Sequence, residues 1–207
     1  MTTNNGKLPA IVFDFGNVIF DWNPYNLFGK FFVDRQAIEA FMLEVDFKFW
    51  NLLLDMGHPF QEVLAEQTRL FPQYAHIFRA YDEDWQATFG GAIQPTVDIL
   101  TTLHGSGHSL YALSNWSAEK FAVVRPQYPF LEWFEDIVLS GDLRMAKPDP
   151  LIFMAFLQRT GLNAPDCLFI DDSAANIQVS SQMGFGTILF QSPAQLKDDL
   201  QNRGLLN

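Results

Sequence analysis

The chain has a single cysteine in 207 residues, Cys167, so no intramolecular disulfide can form and packing has to hold the fold. Cys167 stands in the apolar run Asp166-Cys167-Leu168-Phe169-Ile170, the setting of a buried, inert thiol rather than of a nucleophile. Basic residues are also scarce. Thirteen Lys and Arg against 24 Asp and Glu leave a formal charge of -11, which argues against nucleic acid and against an anionic membrane surface as partners. A small anionic substrate remains compatible, provided that a local cation offsets the field. No apolar run is long enough to span a bilayer, and Met1 to Lys7 lack the apolar core of a secretion signal. The expectation is a soluble cytoplasmic protein, monomer or homodimer. There are no internal repeats and no low-complexity segments, and the four histidines form no pair with metal-ligand spacing on one helix face.

What the chain does have is apolar material: 48% hydrophobic residues, 15% aromatic, with 21 Phe. That is ample for the core of one domain with a sizeable insert, and aromatic burial can fix packing between two lobes. The stretch Ala10-Ile11-Val12-Phe13-Asp14-Phe15-Gly16-Asn17-Val18 reads as a buried strand that delivers Asp14 to a loop at its carboxyl end. Taking a carboxylate out of water there costs several kcal/mol unless a metal, a cation or hydrogen bonds compensate, which favours a functional Asp14. Asp-x-Gly-Asn is also good turn chemistry, so a plain turn residue is the competing reading.

After an extended excursion over 17 to 23, the sequence is helical in period up to Phe89, with no convincing strand. Asp34 caps a helix running to Glu44, and His58-Pro59 opens another with Phe60, Val63, Leu64, Leu70 and Phe71 on one face. Ile77, Tyr81 and Trp85 mark a third, widened by Phe78 and Phe89 and stopped by Gly90-Gly91. From Pro95 onward helices and strands alternate: strands at Ser109 to Ser114, Ile137 to Leu139, Cys167 to Ile170 and Thr187 to Phe190, with helices between and after them. The predicted fold is α/β: a doubly wound, mostly parallel five-stranded Rossmann-like core over residues 1–20 and 91–207. A small all-helical cap, residues 21–90, is inserted after the first strand.

Three strands carry polar residues at their carboxyl ends: Asp14, Ser114-Asn115 and Asp171-Asp172. A parallel sheet puts these ends on one edge. Lys147, in the loop after the third strand, adds the cation that this acidic edge lacks. Each motif has a structural alternative. Ser114, Asn115 and Ser117 can cap a helix, Asp172 or Ser173 can cap the next one, and Pro148-Asp149-Pro150 starts a helix without Lys147. Their joint order on one edge is harder to explain by independent caps. Asp14, Asp171 and Asp172 cannot all stay ionised side by side without a counter-charge; hard oxygen ligands of this kind suit Mg²⁺ and point to phosphoryl chemistry.

These residues resemble the haloacid dehalogenase-like superfamily of hydrolases over nearly the whole chain. Asp14-Phe15-Gly16-Asn17-Val18 is similar to its first motif, Leu113-Ser114-Asn115 to its second, Lys147-Pro148 to its third and Ile170-Asp171-Asp172-Ser173 to its fourth. The insert resembles the small helical cap of the subfamily that includes sugar-phosphate phosphatases, phosphoglucomutases and the two-haloacid dehalogenases. The resemblance implies Asp14 as the nucleophile that forms an aspartyl-phosphate, Ser114, Asn115 and Lys147 as the groups that hold the transferring phosphoryl, and Asp14, Asp171, Asp172 and the carbonyl of Gly16 as the magnesium site. The implied substrate is a small phosphorylated metabolite, a sugar phosphate among the candidates.

One position departs from the pattern. The family's phosphatases carry a second aspartate two residues after the nucleophile as general acid and base, and here that position is Gly16. Acid–base assistance is worth roughly 10²- to 10⁴-fold. Either Asp21 takes the task, against its ordinary reading as a turn residue, or the substrate has a leaving group that needs little protonation. A metal-free dehalogenase using Asp14 also lacks an aspartate there, but Asp171-Asp172 would repel its carboxylate substrate. A non-catalytic binding member is the remaining alternative. Trp22, Asn23, Arg35 and Trp50 are the sequence candidates for cap residues facing the site.

Overall fold

In the computed structural model, which describes residues 8–206, the central strand β1 (Ala10–Phe13) is buried on both faces. Its side chains alternate, as a pleated strand requires: Ile11 and Phe13 enter one hydrophobic cluster, Ala10 and Val12 the other. The remaining strands are β2 (Phe20–Trp22), β3 (Phe89–Ala92), β4 (Leu110–Ser114), β5 (Phe134–Leu139), β6 (Cys167–Asp171) and β7 (Gly186–Leu189). Five of them form one sheet in the order β5-β4-β1-β6-β7, with every pairing parallel. β1 is flanked by β4 on one side and β6 on the other, with Val12 opposite both Tyr111 and Phe169. This register places the carboxyl ends of β1, β4 and β6 side by side, where a doubly wound sheet binds its ligands.

Helices cover both faces. Between β2 and β3 lie α1 (Tyr25–Phe28), α2 (Arg35–Glu44), α3 (Phe47–Asp55), α4 (Phe60–Leu70) and α5 (Ala75–Glu83). The core then adds α6 (Gln94–Gly105), α7 (Ala118–Val124), α8 (Ser140–Leu143), α9 (Pro150–Thr160), α10 (Ala174–Gln182) and α11 (Pro193–Asn202). Leu100, Leu103, Leu196 and Leu200 of α6 and α11 pack on one face of the sheet, and Ile152, Phe153 and Phe156 of α9 on the other. Side-chain caps start several of these helices: Asp34 accepts from Ala37 N at 2.8 Å, Ser192 from Gln195 N at 3.2 Å and Asp149 from Leu151 N at 2.9 Å, whereas Ser173 precedes α10 without one. Cys167 is buried, its thiol pushed up to about 12 by burial and then by Asp166.

Three expectations need correction. The segment read as helical through Phe89 ends in a strand: β3 pairs antiparallel with β2, Phe20 opposite Ala92 and Trp22 opposite Phe89. This ribbon roots the insert, so the 20/21 and 90/91 boundaries run through its two strands. Gly90 lets the Asp21 carboxylate lie against it, and a Cβ there would make that exposed side chain move. The second correction is α3, which the sequence reading did not separate as a helix of its own; Asp46 precedes it in the left-handed region (φ 48°), and its side chain makes no cap bond. Third, β5 begins at Phe134, three residues ahead of its apolar run. The reading of Met1 to Lys7 lies outside the described residues. Among the described residues no helix is long and apolar enough to cross a membrane.

Rings lock the insert to the core. Phe15, fully buried, packs edge-on against Phe20 (5.7 Å), Trp116 (6.0 Å) and Phe134 (5.5 Å) and stacks on Phe121 at 5.7 Å. Trp116 also meets Trp85 and Phe89 of the insert. A second attachment is made by backbone: Gly57, just after α3 at φ 79°, lies so close to the carbonyl of Gly141 in α8 that no Cβ fits. Gly57→Ala is therefore expected to cost more than the roughly 1 kcal/mol of left-handed strain alone, with Gly161→Ala (φ 70°, open space around it) as the control that shows only the strain. Urea unfolding followed by tryptophan fluorescence measures both.

Candidate active site

Beneath the insert, the carboxyl ends of β1, β4 and β6 open into a cavity of about 310 Å³. Its floor is Asp14, Gly16, Asn17, Asn115, Lys147, Asp172, Ser173 and Asn176; its roof is Trp22, Asn51, Leu54, Asp55, Phe60 and Trp85. The sequence candidates from four separate segments thus converge.

Lys147 is the hub. Its side chain is 1% exposed, and Nζ reaches Asp14 Oδ1 at 2.9 Å, Asp171 Oδ2 at 2.7 Å and the carbonyl of Leu113 at 2.7 Å. An ammonium has three protons, and all three have acceptors in the protein. Burial alone would lower the Lys147 pKa, but Asp14 and Asp171 outweigh it and the net shift is upward. Asp14 is raised to about 6, first by burial, which the Lys147 charge opposes, and further by Asp171.

Asp171 is fully buried and engaged on both oxygens. Oδ1 accepts from Ser173 N at 2.8 Å and from Asn176 Nδ2 at 3.0 Å; Oδ2 accepts from Asn176 Nδ2 at 3.0 Å and from Lys147. Asn115 is engaged too. Its Nδ2 donates to the carbonyl of Lys147 at 2.9 Å and its Oδ1 accepts from Lys147 N at 2.8 Å, so its amide positions the lysine loop. Ser114, 1% exposed, favours the charged form of Asp14, yet its hydroxyl makes no well-formed hydrogen bond within the protein. A buried orphan of this kind asks for an external partner. Asp172 stands at the exposed rim, its pKa raised first by burial of the carboxyl and then by Asp171, while Asn17 holds it back. Asn17 sits at φ 55°, a conformation that Asn tolerates better than most residues.

The acids suit a metal. Asp14, Asp171 and Asp172 each present a carboxylate oxygen, all within 4.8 Å of one another, and the Gly16 carbonyl takes no part in the main-chain hydrogen bonds of its loop. A hard-oxygen set of this kind matches Mg²⁺. Because both Asp171 oxygens already have donors, Asp14, Asp172 and the Gly16 carbonyl are the freer ligands.

The cap candidates fare unevenly. Trp22 lines the cavity. Trp50 is completely buried among Phe47, Phe78 and Tyr81, Asn23 Oδ1 accepts from Tyr25 N, and Arg35 pairs with Glu39 on the surface. Asp21 lies on the exposed edge over Gly90 and does not line the cavity, which removes it as the substitute acid. The sequence reading missed Asn51, Asp55 and Asn176. Asn51 and Asp55 are four residues apart, one turn on the same face of a helix, a signal that was lost with α3 itself.

A family model described as haloacid dehalogenase-like hydrolase matches residues 11–190. The chain belongs to that family. Among its relatives, D-ribitol-5-phosphate phosphatase of Bacteroides thetaiotaomicron is 27% identical, the match covering 92% of this chain and 95% of the relative. A sesquiterpene phosphatase of Aspergillus oryzae is 24% identical over 84% of this chain and 86% of its own. A family enzyme of Bacteroides thetaiotaomicron, solved in complex with magnesium and inorganic phosphate, shares the fold with a TM-score of 0.70 at 21% identity, covering 89% of this chain and 95% of that one.

Removing the hub should expose its importance. Lys147→Met leaves Asp14 and Asp171 buried without a cation, and loss of one partner from a buried charge cluster costs about 3–5 kcal/mol. Equilibrium unfolding at pH 7.5 is expected to show that loss. The deficit should shrink as the pH falls, because Asp14, whose folded pKa is raised, is least costly when protonated.

Proposed function

We propose that this hydrolase is a Mg²⁺-dependent phosphatase that acts on a small phosphomonoester through an aspartyl-phosphate on Asp14. The observation that carries the reading is the convergence of Asp14, Asp171 and Asp172 around one buried lysine. Three carboxylates against one ammonium leave two negative charges, and a divalent cation balances them. When bound by Asp14, Asp172 and the Gly16 carbonyl, the metal supplies Lewis-acid stabilisation of phosphoryl oxygens.

The protein's own groups have separable tasks. Lys147 keeps Asp14 ionised for attack on phosphorus. Asp171 and Asn115 position Lys147, the first through its carboxylate and the second through the lysine backbone. The orphan hydroxyl of Ser114 donates to a phosphoryl oxygen. Residues 21–90 act as the cap that shields the reaction from water, with Lys120 of the core gripping Asp82 of α5 at 2.8 Å.

The cavity also narrows the substrate. Among the described residues no cationic side chain lines it apart from Lys147, whose donors already have acceptors, so a second phosphate finds no counter-charge there. Phe20, Trp22, Phe60, Trp85, Phe89 and Trp116 line it opposite the polar floor, which suits an apolar or flat organic group on the ester. A sesquiterpene phosphatase and a sugar-alcohol phosphatase both stand among the relatives; the aromatic wall favours the former type of substrate. The non-enzymatic reading has no support in such a charge arrangement, and the acid pair disfavours a metal-free dehalogenase.

A panel of prenyl, aryl, sugar and bis-phosphates assayed for phosphate release tests this. Release is expected from the apolar monoesters, lost with chelator and restored by Mg²⁺. Asp14→Asn should lower kcat by at least about 10³-fold. Chelator-insensitive chloride release from a haloacid would instead establish the dehalogenase.

A further inference from the structure

Among the described residues four titratable side chains line the cavity, and three of them, Asp14, Lys147 and Asp172, rise from the core. The fourth is Asp55, at the end of α3 in the roof. Resting on the phosphatase reading, we propose that Asp55 is the catalytic proton donor to the leaving group, filling from the cap the task that Gly16 cannot perform.

The position fits the stereochemistry of phosphoryl transfer. Attacking and leaving oxygens lie roughly in line across phosphorus. With Asp14 attacking from the floor, the leaving oxygen faces the roof, where Asp55 is the roof's one ionisable group. At Gly16 there is nothing within 4 Å of where a Cβ would stand, so no neighbouring side chain fills that place.

Asp55 is held for the task at two points. Its Oδ2 accepts from Asn51 Nδ2 at 3.0 Å, and Asn51 is itself oriented by Tyr81, whose hydroxyl donates to Asn51 Oδ1 at 2.6 Å. Its Oδ1 has no hydrogen bond among the described residues and is left for a ligand. Its carbonyl accepts from Ser140 Oγ at 2.5 Å, and the same Ser140 oxygen accepts from Trp116 N at 2.9 Å. The two core loops that follow β4 and β5 therefore pin the roof carboxyl over the floor. Burial first, and then the Asp14 charge, raise its pKa well above the ordinary carboxylate value. A proton donor needs that state at neutral pH. The groups that face it are Asp14 across the cavity and Tyr81 behind Asn51.

In the first half-reaction an Asp14 oxygen bonds to phosphorus, the ester P–O bond breaks, and the Asp55 carboxyl proton passes to the departing oxygen, giving the alcohol. In the second, water attacks the aspartyl-phosphate, the Asp14 O–P bond breaks, and Asp55, now a carboxylate, accepts the water proton. Phosphate leaves and both side chains return to their starting states.

The test is kcat/KM for a series of aryl and alkyl phosphates of rising leaving-group pKa, with Mg²⁺, for the wild type and Asp55→Asn. The wild type should depend weakly on leaving-group pKa. The variant should match it closely for the most acidic phenols and fall behind by about 10²- to 10⁴-fold for alkyl esters, the loss lying in kcat. A uniform loss across the series, carried by KM, would overturn the proposal in favour of a hydrogen-bonding role. The wild-type series decides even if the variant fails to fold, since a steep wild-type dependence also overturns it. No chelator-sensitive release from any ester by the wild type would overturn the phosphatase reading itself.

Discussion

The buried ammonium of Lys147 holds this site together. It takes one carboxylate from the end of β1, one from the end of β6 and a carbonyl from β4, so a single side chain ties the three central strands at their functional edge. Each carboxylate would cost several kcal/mol in isolation at that depth. Around the hub the requirement propagates outward: Asn115 fixes the lysine main chain, and Asn176 and Ser173 satisfy the remaining oxygens of Asp171. The Ser114 hydroxyl beside Asp14 is left without a well-formed bond, as is the indole N–H of Trp116 in the cavity wall. The site is thus rigid where charge must be held and unsatisfied where a ligand must bind, which is the arrangement that electrostatic preorganisation requires.

Aromatic packing carries that rigidity into the insert. Phe15 stands between Asp14 and Gly16 and is enclosed by four other rings, so the Asp14 loop cannot shift without disturbing the core. Trp116, one residue beyond Asn115, touches Phe15 on one side and Trp85 and Phe89 on the other. Core and roof share a continuous aromatic layer, and Phe20, Trp85, Phe89 and Trp116 of that layer also line the cavity. The abundance of Phe has its explanation there.

Much of this was legible in the sequence, because period and punctuation report what local physics decides. The apolar run before Asp14, the Pro and Gly signals from Pro95 onward and the three polar strand ends with Lys147 pointed to the sheet, its candidate edge and the residues that meet there. The failures have physical causes. α3 begins after a left-handed Asp46 with no side-chain cap, and β3 contains Gly90-Gly91, which reads as a stop although the glycines admit the close approach of Asp21. Partner choice was likewise out of sight: residue type marks Asn115 and Asp171 as site residues, but only the structure shows both turned toward Lys147. Asp55 was hidden for the same reason as its helix, and Asp21 attracted notice through nearness in sequence, whereas its strand direction turns it away.

The central claim is that Asp14 becomes covalently phosphorylated. Rapid quenching of the enzyme during turnover of an aryl phosphate with Mg²⁺, followed by borohydride reduction and peptide mass mapping, tests it directly. Reduction of an aspartyl-phosphate yields homoserine, and the account predicts homoserine at position 14, absent when chelator replaces the metal. An unmodified Asp14 in enzyme shown to be turning over, or a phosphorylated residue elsewhere, would contradict it.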